Sequence, residues 1–266
     1  MAGEKRDRGK GLDSGAADFI FCGIRINNLT RQEALQEIGQ ILHKKEPSLI
    51  VTPNAYHFVL LEKDELFLRA YKRARLVLPD GMSLVFISRL FGHPLKERVA
   101  GSDLFPDICA LAASQQKRLF LLGGERNSEK IALQKIRKIW PQLEVTAYSP
   151  PPGFEKDAGI TEKIISLIRS FSPDILCCFV GSPKSEKWLI QNFDQLQVNL
   201  AVSLGATLNY FAGIKRRAPS WMRQLGLEWA WRLAQEPRRL ARRYLVGNFQ
   251  FLYLVFKEIL KQKGEL

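Results

Sequence analysis

One unit recurs through the middle of the chain: a short apolar run, a stop built from Gly, Pro, Asn or Asp, and then a segment of helical period. The runs occupy residues 49–51, 76–78, 118–122, 143–147, 175–180 and 198–204. Apolar runs of this length are strands buried on both faces, and the inserts between them are long enough for crossovers to parallel neighbours. The chain is thereby restricted to an α/β fold: a largely parallel, Rossmann-like sheet covered by helices on both faces. Residues 19–26 read as one further strand, and Thr30 with Glu33 three positions on forms a capping box opening a helix through Leu42. A single helical segment containing Phe58, Leu61, Leu66 and Leu68 joins the runs 49–51 and 76–78.

Open sheets of this kind bind ligands at the carboxyl ends of their strands. If the runs 49–51 and 76–78 are parallel neighbours, Thr52, Asn54 and Asp80 emerge together on that edge. Pro79 and Gly81 hold Asp80 in a tight turn, where partial burial raises its carboxyl pKa and suits it to acid/base work; capping the helix after Gly81 is its competing role. Thr52 and Asn54 either orient a hydroxyl-bearing substrate or cap their own helix. Arg98, in a loop with Gly101, is suited to a diphosphate or is a surface cation, and Ser102 or Asp103 caps the helix that follows. Gly124, Gly181 and Gly205 each close a strand. Each either lets the backbone approach a phosphate at a helix N-terminus or simply suits a tight turn.

The chemistry missing from the sequence narrows the class. His43, His57 and His93 lack metal-ligand spacing and no Asp-x-Asp occurs, so neither a metal nor another cofactor is expected. There is no GxSxG or Walker sequence, and the missing GxGxxG weakens a dinucleotide-dependent oxidoreductase. Cys22, Cys109, Cys177 and Cys178 lie in apolar segments without CxxC spacing and read as buried, reduced thiols.

The 40 Lys and Arg exceed the 27 Asp and Glu by 13, and the excess is uneven. From Phe211 onward twelve basic residues face four acidic ones, so about eight of the net charges lie in the last fifth of the chain. Residues 1–18, charged and Gly-rich, read as a flexible leader, residues 19–213 as the α/β domain, and residues 214–266 as a basic, amphipathic helical appendage. Pro237 suits the first turn of a helix there. Tryptophans interleaved with arginines predict a surface helix on the anionic inner leaflet of a membrane, with nucleic-acid binding as the alternative. No apolar segment reaches the roughly 18–20 residues of a spanning helix, so a cytoplasmic protein peripheral to the membrane is expected.

Taken in order, Thr52-x-Asn54, Pro79-Asp80-Gly81, Arg98-Val-x-Gly101-x-Asp103, Gly123-Gly124, Gly181-x-Pro183-Lys184-x-Glu186-x-Trp188, Gly205-Ala206, Arg217-Ala218-Pro219 and Gly226-Leu227-Glu228-Trp229 resemble the WecG/TagA/CpsF glycosyltransferases. The resemblance implies an inverting, metal-independent transfer of N-acetylmannosamine or its uronic acid from a UDP-sugar. The acceptor it implies is polyprenyl-diphosphate-linked N-acetylglucosamine, in surface polysaccharide or teichoic acid synthesis. It implies that Asp80 is the base, that Thr52 and Asn54 line the pocket and that Arg98 holds the diphosphate. Gly124, Gly181, Pro183, Lys184, Ser185, Glu186 and Gly205 become substrate-binding candidates, and Arg216, Arg217 and Arg223 candidate diphosphate or membrane contacts. Ser185 stands where the family usually has Gln, which leaves glucose or another hexose open as donor. Oligomeric state is left open.

Overall fold

The computed structural model describes residues 17–125 and 127–264. Six strands form one parallel sheet: β3 (Ser48–Val51), β4 (Leu76–Val77), β5 (Leu119–Gly123), β6 (Val145–Tyr148), β7 (Ile175–Phe179) and β8 (Leu200–Ser203), in the spatial order β4-β3-β8-β7-β5-β6. Strand alternation divides the core in two. Leu49, Val51, Phe120, Leu122 and Cys178 pack on one face; Ile50, Leu119, Leu121 and Cys177 pack on the other. The adjacent Cys177 and Cys178 therefore point to opposite faces and stay free thiols, as do buried Cys109 and half-buried Cys22.

Preceding the sheet, residues 19–26 are not one strand. They form a hairpin of β1 (Phe19–Phe21) and β2 (Ile24–Ile26), because Cys22 (φ 49°) and Gly23 (φ 71°) make a two-residue turn with both residues left-handed. Of the expected leader, residues 1–18, only Ala17 and Asp18 are described. Residues 1–16 lie outside the described residues, but Ala17 accepts from Asn28 Nδ2 at 3.2 Å and Asp18 from the Asn28 N–H at 2.8 Å. The Thr30 capping box opens α1 (Arg31–Lys44) as expected.

Between β3 and β4 the single helix is in fact two, α2 (Ala55–Leu61) and α3 (Glu65–Arg73), since Asp64 interrupts the first and caps the second through Phe67 N–H. After β4 come α4 (Met82–Leu90) and α5 (Gly101–Ser114). The N-cap of α5 is Ala100, so neither Ser102 nor Asp103 caps it; the Asp103 carboxylate is held by arginines instead. Helices α6 (Ser128–Ile139), α7 (Ala158–Phe171) and α8 (Lys184–Leu196) complete the crossovers.

Beyond β8, the chain continues through α9 (Thr207–Ala212), α10 (Ser220–Gln224), α11 (Glu228–Gln235) and α12 (Pro237–Gln262), the last with Pro237 in its first turn. Helix α12 lies along α2 and adds Phe251, Leu254 and Val255 to the core that holds the β1–β2 hairpin. Gly247 sits in this contact, where an added methyl would come within 2.6 Å of the Tyr56 ring. A rigid aromatic ring cannot yield, and overpacking of this kind costs about 1–3 kcal/mol. Gly247→Leu is therefore expected to lift α12 off α2, making the appendage sensitive to limited proteolysis while the sheet stays intact. Wild-type cleavage kinetics would show that the close contact is not what seats the helix.

Candidate active site

Parallel strands place all their carboxyl ends on one edge, and the ends of the central strands β3, β8 and β7, with that of β4, surround a cleft of about 390 Å³. Thr52, Asn54 and Asp80 line it, as do Gly181, Pro183, Lys184, Glu186 and Gly205. Thr52 Oγ1 donates to the Ser203 carbonyl at 3.1 Å, joining the ends of β3 and β8. Asn54 takes its capping role: Oδ1 accepts from Tyr56 N–H at 3.1 Å, which turns Nδ2 toward His57 Nε2, 3.5 Å away. The remaining His57 nitrogen, Nδ1, then donates to Tyr71 Oη at 2.8 Å. Burial, helped by Arg243 and Arg232, holds the His57 pKa well below its ordinary value, so the ring is neutral.

Asp80 does not cap α4. Gly81 is the N-cap and receives no side-chain bond. The turn is fixed by backbone bonds, Asp80 N–H to the Pro53 carbonyl at 2.9 Å and Val99 N–H to the Pro79 carbonyl at 2.8 Å. Burial pushes the Asp80 carboxyl up to about 6, the Glu228 charge adds to this, and Arg232, Arg98 and Arg217 pull the other way. Glu186 is a second buried acid, pushed by burial up to about 7 against its own backbone N–H, Ser203, Ser182 and Arg243. Among the described residues its Oε2 has no hydrogen-bond partner, in keeping with a group that waits for a polar ligand.

Several expected residues fall elsewhere. Gly124 is off the cleft; its missing side chain makes room for Ser128 Oγ, which would lie 2.2 Å from a Cβ. Gly181 (φ 91°) and Gly205 (φ 55°) do border it, with open space where a side chain would be. Ser185 is wholly buried beneath the cleft, on the side of Cys178, and does not line it. Arg98 is tied to Glu228 at 3.1 Å and Asp103 at 3.4 Å, and does not line the cleft either. Arg217 binds Asp103 through two bonds of 2.7 and 2.9 Å, Arg223 stands 3.8 Å from the same carboxylate, and Arg216 is exposed.

The cations that line the cleft are Lys184, from α8, and Lys215, Arg232 and Arg243, from the appendage. Arg232 donates to Glu228 at 2.8 Å and lies over the Tyr210 ring at 5.3 Å; Arg243 lies over Tyr56 at 4.8 Å. Lys215 is paired with Glu236 at 2.8 Å and with Glu125. In sequence these residues pass as surface charge. The available signal is the helical stripe Leu240, Tyr244, Gly247, Phe251 and Leu254, which puts Arg243 beside the face that docks. Among the described residues no three His, Cys, Asp or Glu side chains converge as a metal site. The arrangement can take a proton from a hydroxyl at Asp80 and stabilise an anion opposite several fixed cations.

Comparison with known proteins matches this chain to the glycosyl transferase WecG/TagA/CpsF family, whose profile covers residues 19–265. An N-acetylglucosaminyldiphosphoundecaprenol N-acetyl-beta-D-mannosaminyltransferase of Bacillus subtilis (strain 168) is 30% identical over 86% of this chain and 84% of its own. A protein of the same name from Staphylococcus aureus (strain MW2) is 24% identical over 94% of this chain and 97% of its own. With a family match over nearly the whole chain, and with Thr52, Asn54, Asp80 and Glu186 gathered at one cleft, the protein belongs to the WecG/TagA/CpsF family of glycosyltransferases.

Proposed function

We propose that the protein transfers an N-acetylmannosaminyl group from a UDP-linked donor to N-acetylglucosaminyl diphosphoundecaprenol, with inversion and with no metal. The donor and acceptor rest on the names of the relatives. The mechanism rests on one observation: a buried carboxyl raised to about 6 shares a cleft with Lys215, Arg232 and Arg243. Asp80 takes the proton of the acceptor hydroxyl as its oxygen bonds to the anomeric carbon, and the bond from that carbon to the UDP oxygen breaks on the opposite face. The leaving diphosphate then meets guanidinium groups, whose fork geometry suits its oxygens. Glu186 and Ser182 accept from or donate to sugar or ribose hydroxyls.

Transfer from a panel of UDP-sugars, the uronic acid and glucose among them, to a diphosphate-linked N-acetylglucosamine tests this. Product from UDP-N-acetylmannosamine supports it, and a strong preference for another sugar would reassign the donor. EDTA is expected to leave the rate within about twofold, because arginine charge stands where a Lewis acid would act; loss restored by Mg²⁺ or Mn²⁺ contradicts that step.

We also propose that α12 meets the membrane. No helix among the described residues is long and apolar enough to cross one. Yet α12 exposes Leu245, Val246, Phe249, Leu252, Tyr253 and Phe256 beside the basic turns of the appendage. Burying each phenylalanine stabilises binding by roughly 1.5–3 kcal/mol. Phe249→Glu with Phe256→Glu is thus expected to lower binding to phosphatidylglycerol vesicles by more than about tenfold. Unchanged sedimentation would remove this face from membrane contact.

A further inference from the structure

Three arginines, Arg98, Arg217 and Arg232, lie near Asp80, yet among the described residues none forms an ion pair with its carboxylate. Two other acids have claimed them. Asp103 takes Arg217 at 2.7 and 2.9 Å and also meets Arg98 and Arg223. Glu228, the first residue of α11, uses one oxygen for Arg98 at 3.1 Å and the other for Arg232 at 2.8 Å. The same Arg98 Nη1 reaches the Asp80 backbone carbonyl at 3.5 Å, so one guanidinium nitrogen bridges Glu228 and the Asp80 turn. Arg98 and Glu228 are mostly buried, with side chains 13% and 19% exposed, so the pairing is shielded from water and salt.

A carboxylate that itself held these arginines would be a poor base, because its ionised form would be stabilised by each pair. We propose that Glu228 is a positioning residue: by holding Arg98 and Arg232 in its own two ion pairs it keeps both off the Asp80 carboxylate and leaves that carboxylate free to act as the base. This deepens, and rests on, the transfer reaction proposed above. Glu228 and Arg232 both come from α11, so the helix that brings a cation near Asp80 also brings the carboxylate that holds it.

Around Asp80 the charged and titratable neighbours are Glu228 and Arg232 from α11, Arg98 from the loop before α5, Arg217 from the segment before α10, and Tyr71 from α3. Tyr71 is held well above its ordinary value by burial and by Glu186 and Asp80, and stays neutral through the working range. The second raised acid, Glu186, responds to its own backbone, Ser203, Ser182 and Arg243, which a change at Glu228 leaves in place.

The test is the pH profile of kcat for the full chain in two variants. Glu228→Gln removes the negative charge and frees two cations, so the acid limb moves to lower pH and plateau kcat falls. Arg98→Gln removes a cation and moves the acid limb to higher pH. Opposite displacements support the proposal. A limb that stays fixed, or moves the same way in both, overturns it and leaves Glu228 a structural anchor. If Glu228→Gln does not fold, Glu228→Asp keeps the charge and is expected to hold the limb near wild type while Arg98→Gln moves it up; an unmoved limb in Arg98→Gln again overturns the proposal. Absence of transfer by wild type would instead be failure of the reaction assigned above, and this inference would fall with it.

Discussion

Replacing Asp80 with Asn is expected to lower the transfer rate by about 10³-fold, within the range that a positioned general base contributes, while UDP still binds. Asn cannot accept the hydroxyl proton, and the backbone bonds that fix the turn do not involve the side chain. In wild type, activity should be lost as pH falls through about 6, where the Asp80 carboxylate takes up its proton. Stability should carry the opposite sign. A carboxyl raised from 3.8 to about 6 favours the folded state when protonated, and that contribution is fully present below the unfolded pKa and lost as pH rises through about 6. At about 1.4 kcal/mol per pH unit, holding Asp80 ionised above that pH costs the folded protein up to about 3 kcal/mol. The Asn variant is therefore expected to be inactive and more resistant to thermal unfolding at pH 8. An active variant would remove Asp80 as the base; an inactive one less stable than wild type would point to damage to the turn.

Arg232→Ala is expected to lower kcat by about 10²–10³-fold, the loss typical of removing a fixed group that stabilises developing charge. Burial works against the Arg232 charge, but Glu228 first, and then Tyr210, Tyr244 and Asp80, more than offset it and keep the group protonated. Among the described residues its Nε has no partner, and it borders the cleft, so it has donor capacity left for a phosphate oxygen. Arg232→Lys restores the charge without the planar fork and should recover only part of the rate. The measurement is single-turnover transfer beside the UDP dissociation constant. A normal rate with weakened UDP binding would confine Arg232 to the ground state; neither changing would take it out of the site.

How much of this was legible depended on which force held each residue. The parallel sheet follows from apolar runs and turn residues, which are local, and β3 to β8 appear within a residue or two of the runs. The hairpin was missed because Cys22 gives no sign of its left-handed backbone, and the split between α2 and α3 because the polar stretch at Glu62 and Lys63 also suits an exposed helix turn. At the site, strand ends were readable, so Thr52, Asn54 and Asp80 were placed together. Ser185 and Gly124 stand in motif order but face away from the cleft, and order along a chain does not report direction across a helix turn.

The sequence by itself determined the sheet, the edge that carries the chemistry and the family, since each depends on local pattern or on the ordered set of short motifs. Only the tertiary structure decided which of the appendage's cations line the cleft. Arg98, Arg217 and Arg223 are held by Asp103 and Glu228 away from the cleft, whereas Lys215, Arg232 and Arg243 line it, the first two while paired with Glu236 and Glu228. An arginine's stem is long enough to serve either fate, and the pairs Arg98–Glu228 and Arg217–Asp103 join residues more than a hundred positions apart, which no local pattern can report.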